Sequence, residues 1–161
     1  MVRRFLRPLY AIYLRARHPH GVPTIINGER FLVRHDCRWL GKREAGRTTR
    51  VYEPDLWSAL SRAVRATDVV VDVGANVGVH TVLLARRVTE GSVVAYEPDP
   101  RNAAALRSHV HMNGVADRVE VVEAAAGSED GSVLFAAAGS EMSSIGNVWS
   151  ASGQRLEPVA Q

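Results

Sequence analysis

The sequence predicts an α/β chain organised around a parallel sheet, and three observations carry that expectation. From Asp68 onward, short apolar runs rich in Val alternate with segments of helical period. The runs are continuous rather than alternating, as strands covered on both faces require. Turn residues separate runs from helices at βαβ spacing. The 161 residues, 46% hydrophobic and 23% charged, suffice for a core and exclude disorder by composition.

Taken in order, the basic amphipathic segment Val2 to Arg15 opens the chain as a helix. It begins like a signal peptide, but Arg7 and Pro8 interrupt a short apolar run and no small-residue cleavage site follows. Docking onto its own domain or a partner is favoured over contact with a membrane surface. No stretch reaches the roughly 20 apolar residues of a membrane span, so a cytoplasmic location is expected. Val22 to Ile26 and Glu29 to Arg34 flank Asn27-Gly28, a type I′ turn pair, and predict an antiparallel hairpin. His35 to Arg50 is polar and aperiodic and reads as a loop. Pro54 suits a first helical position, and Leu56, Leu60, Ala63 and Val64 recur at helical spacing through Arg65.

In the main region, Val69 to Val73 is the first strand and Gly78 to Val88 a helix, with Val79, Val82, Leu83 and Ala85 available for its inner face. Ser92 to Tyr96 is the second strand. Asp99 caps a helix starting at Pro100, with Ala103, Leu106 and Val110 on one side and Asn113-Gly114 as its stop. Val119 to Glu123 is the third strand. Ser132 to Ala136, reached through Glu129-Asp130-Gly131, is a further strand or hairpin arm, and the Ser- and Gly-rich tail after Gly139 has no assignment. The expected division is 1–66, an N-terminal extension of helix, hairpin and lead-in helix, and 67–161, the sheet domain.

A net charge of +3 raises nucleic acid as a partner, but the basic residues read as scattered rather than gathered into a stripe, so none is expected. The lone cysteine, Cys37, excludes an internal disulfide and a multi-Cys metal site. His18, His20 and His35 have no metal-ligand partner at recognisable spacing, so no metal is expected. His80 reads as a solvent-facing residue at a helix start, and His109 and His111 as surface residues. No general base is identified.

The informative unit is Val69-Val70-Val71-Asp72-Val73-Gly74-Ala75-Asn76-Val77-Gly78, a strand running through a Gly-bearing turn into a helix. The dinucleotide fingerprint G-x-G-x-x-G needs glycine where Gly74, Asn76 and Val79 stand, so only its first position fits. Asp72 followed by Gly74 and Gly78 matches instead an acidic-x-Gly-x-x-x-Gly turn. An acid there receives the ammonium of a methionine moiety, directly or through water, or fixes the turn. About twenty residues beyond Gly78, Glu97 ends the second strand, where a carboxylate can accept both ribose hydroxyls or favour the dipole of the next helix.

These segments, with Glu97-Pro98-Asp99-Pro100-Arg101-Asn102 and Glu123-Ala124-Ala125-Ala126-Gly127-Ser128-Glu129-Asp130-Gly131, resemble the FkbM methyltransferase family. The Tyr52-Glu53-Pro54 lead-in is also similar, and the resemblance covers about Val51 to Ser144. It implies a class I methyltransferase with a Rossmann-like sheet, S-adenosylmethionine as cofactor, and O-methylation of a sugar or natural-product hydroxyl. By that resemblance Gly74, Ala75, Asn76 and Gly78 line the methionine end, Glu97 with Pro98 holds the ribose, and Ala125 lies near the adenine. Glu53 either closes over the methionine end or serves its helix N-terminus. Family members continue with a fourth strand beside the first. The sheet is therefore expected to be incomplete at its C-terminus, exposing Val69 to Val73 as an apolar edge, in a truncated chain or one completed by a partner chain. An NAD-type oxidoreductase and a non-catalytic cofactor-binding remnant are the rival readings, with an RNA methyltransferase subordinate.

Overall fold

A computed structural model of the chain describes residues 6–37, 40, 43–44, 47–129, 131–136, 144–145 and 156–160. The first residues of the basic N-terminal segment, Asp130 of the predicted turn and most of the Ser- and Gly-rich tail lie outside them. The chain forms two compact units, 1–59 and 60–161.

The first unit contains helix α1 (Leu6–Arg17) and a four-stranded sheet of order β2-β1-β4-β3, from β1 (Val22–Ile26), β2 (Glu29–Val33), β3 (Arg43–Glu44) and β4 (Arg47–Arg50). Asn27 and Gly28 take φ of 50° and 84°, the left-handed pair a tight hairpin turn requires. Thr24 and Phe31 stand opposite each other and are buried with Ile26 and Val33. The Asn27 side chain also exchanges two hydrogen bonds with the Tyr52 backbone, donating from Nδ2 at 2.7 Å and accepting at Oδ1 at 2.8 Å. The polar stretch read as a loop contains β3 and β4, and β4 pairs parallel with β1 through Ile25↔Thr49 and Ile26↔Arg50. Arg47-Thr48-Thr49-Arg50 carries no apolar alternation, and its backbone pairs with β1 on one side and β3 on the other.

Helix α2 (Pro54–Ala63) crosses from the first unit into the second. Its buried residue is Trp57, 7% exposed, whereas Leu56, one of the residues at helical spacing, is 47% exposed.

The second unit runs β5 (Val69–Val73), α3 (Val79–Ala85), β6 (Ser92–Tyr96), α4 (Pro100–Met112) and β7 (Val119–Val122), with all three strands parallel in the order β5-β6-β7. This is the βαβαβ half of a Rossmann-like sheet. The helices α3 and α4 touch each other and so lie on one side. Register puts Val70 and Asp72 beside Val93 and Ala95, and the latter two are fully buried. The other side of β5 carries Val69, Val71 and Val73, exposed at 69%, 58% and 62%. Among the described residues β5 is an edge strand, as the sequence suggests for this run.

The predicted helix from Gly78 to Val88 is shorter, because Gly78 is its N-cap at φ 85° and the regular turns end at Ala85. Every residue of α3 except His80 is buried. Asp99 caps α4 as expected, its side chain accepting from the amides of Arg101 and Asn102, and Asn113 is the C-cap. Beyond β7, strands β8 (Ser132–Ala136), β9 (Ser144–Ile145) and β10 (Leu156–Ala160) form an antiparallel sheet in the order β10-β8-β9.

The unit boundary changes the reading of charge. Residues 1–59 carry 12 Lys and Arg against 5 Asp and Glu, and residues 60–161 carry 8 against 12. The first unit therefore carries the basic excess and the second a small acidic one.

Candidate functional site

The carboxyl ends of β5 and β6 bring Asp72 and Glu97 together on one face. Asp72 pairs with Ala95, and Glu97 stands two residues beyond Ala95, so strand alternation points both carboxylates toward the helix-covered side. Between them lies the turn from Gly74 to Gly78, in which three of five residues are left-handed: Gly74 at φ 75°, Asn76 at 53° and Gly78 at 85°. Such a backbone persists only where its surroundings over-determine it.

Its five amides show how. Gly74 and Ala75 both donate to the Tyr96 carbonyl, at 2.9 and 3.0 Å, and Gly78 donates to Ala75 at 2.9 Å. Asn76 donates to Glu97 Oε2 at 2.7 Å, and Val77 donates to the Asn76 side-chain oxygen at 2.7 Å. Every amide of the turn is thus satisfied within the chain.

Glu97 is 4% exposed. Among the described residues Oε1 accepts from the Asp99 amide at 2.9 Å and from Asn102 Nδ2 at 3.5 Å, while Oε2 accepts from the Asn76 amide alone. Burial raises its pKa above the ordinary carboxylate value, and the bonds from Asp99, Asn76 and Asn102 oppose that shift. Its two oxygens thus fix the turn and the start of α4, which leaves spare acceptor capacity chiefly at Oε2. Asp72 is half-buried, and its Oδ2 accepts from Thr81 Oγ1 at 2.6 Å. Among the described residues Oδ1 accepts no hydrogen bond, so this carboxylate can take a cation while anchoring the first turn of α3.

The other sequence-derived candidates divide by accessibility. Gly74 is exposed and Asn76 half-buried, so both reach the surface of the turn. Ala75 and Gly78 are buried, and a Cβ on Gly78 would lie 2.3 Å from Leu106 Cδ1. Gly78 is glycine for its left-handed backbone and for close packing on α4. Pro98 is half-buried and Ala125 is 5% exposed, in the loop after β7. Glu53 precedes α2 at φ 42°, its carbonyl accepting from the Trp57 amide, and belongs to the first unit rather than to that of Asp72 and Glu97.

Two participants escaped the sequence reading. Thr81, fully buried, holds Asp72. His109, expected at the surface, is fully buried with Nδ1 2.6 Å from the Val77 carbonyl oxygen. The stripe Ala103, Leu106 and Val110 held the signal, because His109 follows Leu106 by three residues. A cleft of about 240 Å³ opens elsewhere, lined by Ser92, Val93, Asp117, Arg118 and Val119 at the amino ends of β6 and β7. Ligands of open α/β sheets bind at carboxyl strand ends, so Asp72 and Glu97 define the candidate site. Among the described residues no three His, Cys, Asp or Glu side chains converge to hold a metal, and no helix is long and apolar enough to cross a membrane.

No protein-family model and no curated protein matches the chain. Solved structures share part of it. A Clostridium thermocellum protein assigned as an rRNA methylase is similar at 22% identity and TM-score 0.44, over 45% of this chain and 39% of that one. A Pyrococcus horikoshii protein assigned as a transferase is similar at 20% identity and TM-score 0.44, over 63% and 35%. P. horikoshii TYW2 in complex with MeSAdo is similar at 28% identity and TM-score 0.35, over 40% and 24%. The chain therefore covers less than two-fifths of each of these structures.

Proposed function

We propose that the unit from 60 to 161 binds S-adenosylmethionine and serves an O-methyltransferase acting on a sugar or natural-product hydroxyl. The observation that carries the cofactor is the amide accounting of the turn. A dinucleotide needs free amides there for its pyrophosphate, whereas all five from Gly74 to Gly78 are already bonded and one is held by the buried carboxylate of Glu97. That carboxylate would repel a pyrophosphate at close range. A ligand with a cationic end and neutral hydroxyls fits both acids.

In this reading Asp72 Oδ1 receives the ammonium group, Glu97 Oε2 accepts a ribose hydroxyl, and Gly74 and Asn76 form the floor between them. Pro98 and Ala125 flank the nucleoside, as the FkbM resemblance implies. When bound, the cofactor supplies an electrophilic sulfonium methyl with a neutral leaving group. The chain's own contribution is then chiefly orientation toward in-line attack by the acceptor oxygen. Titration calorimetry with S-adenosylhomocysteine and with NADH tests this: heat from the first and none from the second is expected, and the reverse would discard the reading in favour of an oxidoreductase.

The charge excess of residues 1–59 favours a second reading of the acceptor, a phosphate-bearing one such as RNA. Salt-dependent binding of a structured RNA would select it over a neutral sugar. The open edge that β5 presents among the described residues likewise supports a partner chain that completes the sheet, which light scattering of a co-purified complex would reveal.

A further inference from the structure

We propose that His109 is the positioning residue of the ligand turn, an inference that rests on the S-adenosylmethionine reading for its consequence in binding. Glu97 fixes the turn from the sheet side through the Asn76 amide. His109 fixes it from the helix side, one residue later, through the Val77 carbonyl. A carbonyl oxygen only accepts, so Nδ1 carries the hydrogen and donates it. The contact joins residues 32 apart in sequence and lies in a fully buried place, where an unmade bond to that carbonyl is not replaced by water.

The surroundings hold the backbone of His109 in turn. Asn113 donates to the His109 carbonyl from its backbone at 3.0 Å and from Nδ2 at 2.8 Å. Arg86, immediately after α3, donates to Asn113 Oδ1 at 3.0 Å. The last turns of α4 therefore grip both ends of α3: the turn before it through His109, and the residue after it through Asn113. With Leu106 packed against Gly78, the left-handed run from Gly74 to Gly78 cannot relax without breaking one of these contacts. His109 acts through the backbone of Val77, and the ligand meets the surface of the turn that this backbone sets.

Three variants separate positioning from mere burial. Asn places Nδ2 where Nδ1 of the imidazole stands, Gln places its donor one bond further out, and Leu has none. His109→Asn is expected to bind S-adenosylhomocysteine within about threefold of wild type, whereas His109→Gln and His109→Leu weaken it by about tenfold or more, or about 1.4 kcal/mol. Calorimetry is run well below each variant's melting temperature, with far-UV circular dichroism confirming folded protein. Equal affinity in Leu, Asn and wild type alongside a lower melting temperature in Leu would overturn the proposal, leaving His109 a core residue only. Should the wild type not bind S-adenosylhomocysteine, the cofactor reading fails, and amide exchange still decides the role of His109. Faster exchange at Asn76, Val77 and Gly78 in His109→Leu than in His109→Asn upholds it, and equal exchange in both refutes it.

Discussion

Replacing Gly78 by Ala probes the turn through geometry alone, and Gly74 provides the matched control. Both glycines are left-handed, at φ 85° and 75°, so an alanine at either position costs about 1–2 kcal/mol in backbone strain. They differ in what a methyl group meets. At Gly74 nothing lies within 4 Å, whereas at Gly78 the new carbon falls 2.3 Å from Leu106 Cδ1 and 3.5 Å from Leu106 Cα and Cγ. Leu106 is fully buried, so its side chain cannot swing into solvent, and overpacking of this kind adds about 1–3 kcal/mol. Gly78→Ala is expected to cost about 2–5 kcal/mol and Gly74→Ala about 1–2 kcal/mol. In a unit of this size each kcal/mol lowers the melting temperature by roughly 4 °C or more. Thermal denaturation followed by circular dichroism therefore separates the two variants by at least about 4 °C. A double-mutant cycle assigns the cause. In a Leu106→Ala background the colliding methyl is gone, and Gly78→Ala should cost only its strain, a coupling of about 1–3 kcal/mol. If Gly78→Ala costs the same in both backgrounds, or no more than Gly74→Ala, contact with α4 does not constrain the turn.

Glu97 gives a pH signature. Its folded-state pKa lies above the unfolded value because burial disfavours the charge, so its contribution to stability is greatest below the unfolded pKa and is lost as pH rises through the folded one. Wild type should therefore gain stability relative to Glu97→Gln as pH falls from neutral toward the ordinary carboxylate range, read by urea denaturation; a difference that shrinks instead contradicts the burial argument. Thr81→Val removes the hydroxyl that donates to Asp72 and should cost on the order of 1 kcal/mol, because the half-buried carboxylate partly recovers its bond from water. No change in melting temperature would show that the Thr81–Asp72 bond does not anchor α3. The Cys37 thiol, pushed up to about 11 mainly by burial, should resist a disulfide reagent at pH 8 in the folded protein and react on unfolding. Fast reaction under native conditions would place it at the surface. Arg107→Ala breaks an exposed pair with Glu123 and should shift stability by less than about 1 kcal/mol in thermal denaturation.

Local chemistry wrote much of this molecule into its sequence. Asn27-Gly28 specified the hairpin turn, Asp99-Pro100 specified the start of α4, Asn113-Gly114 its stop, and the Val-rich run through Val73 a strand whose tip carries Asp72. Each depends on a residue's own backbone preference or on neighbours within one turn, which a linear reading sees. Tertiary structure decided what depends on distant partners. Strand β4 exists because β1 offers a backbone ladder that no side-chain pattern announces. His109 is interior rather than surface because α4 presses it against Val77, and Gly78 serves packing against Leu106 because α3 and α4 share one side of the sheet. The hydrogen-bonding state of the turn also waited for the fold: Gly74 and Gly78 can be read from the sequence, but whether their turn has amides to spare depends on where Glu97 and Tyr96 come to rest. Hydrogen-bond saturation is a property of the assembled backbone, and spacing alone does not contain it.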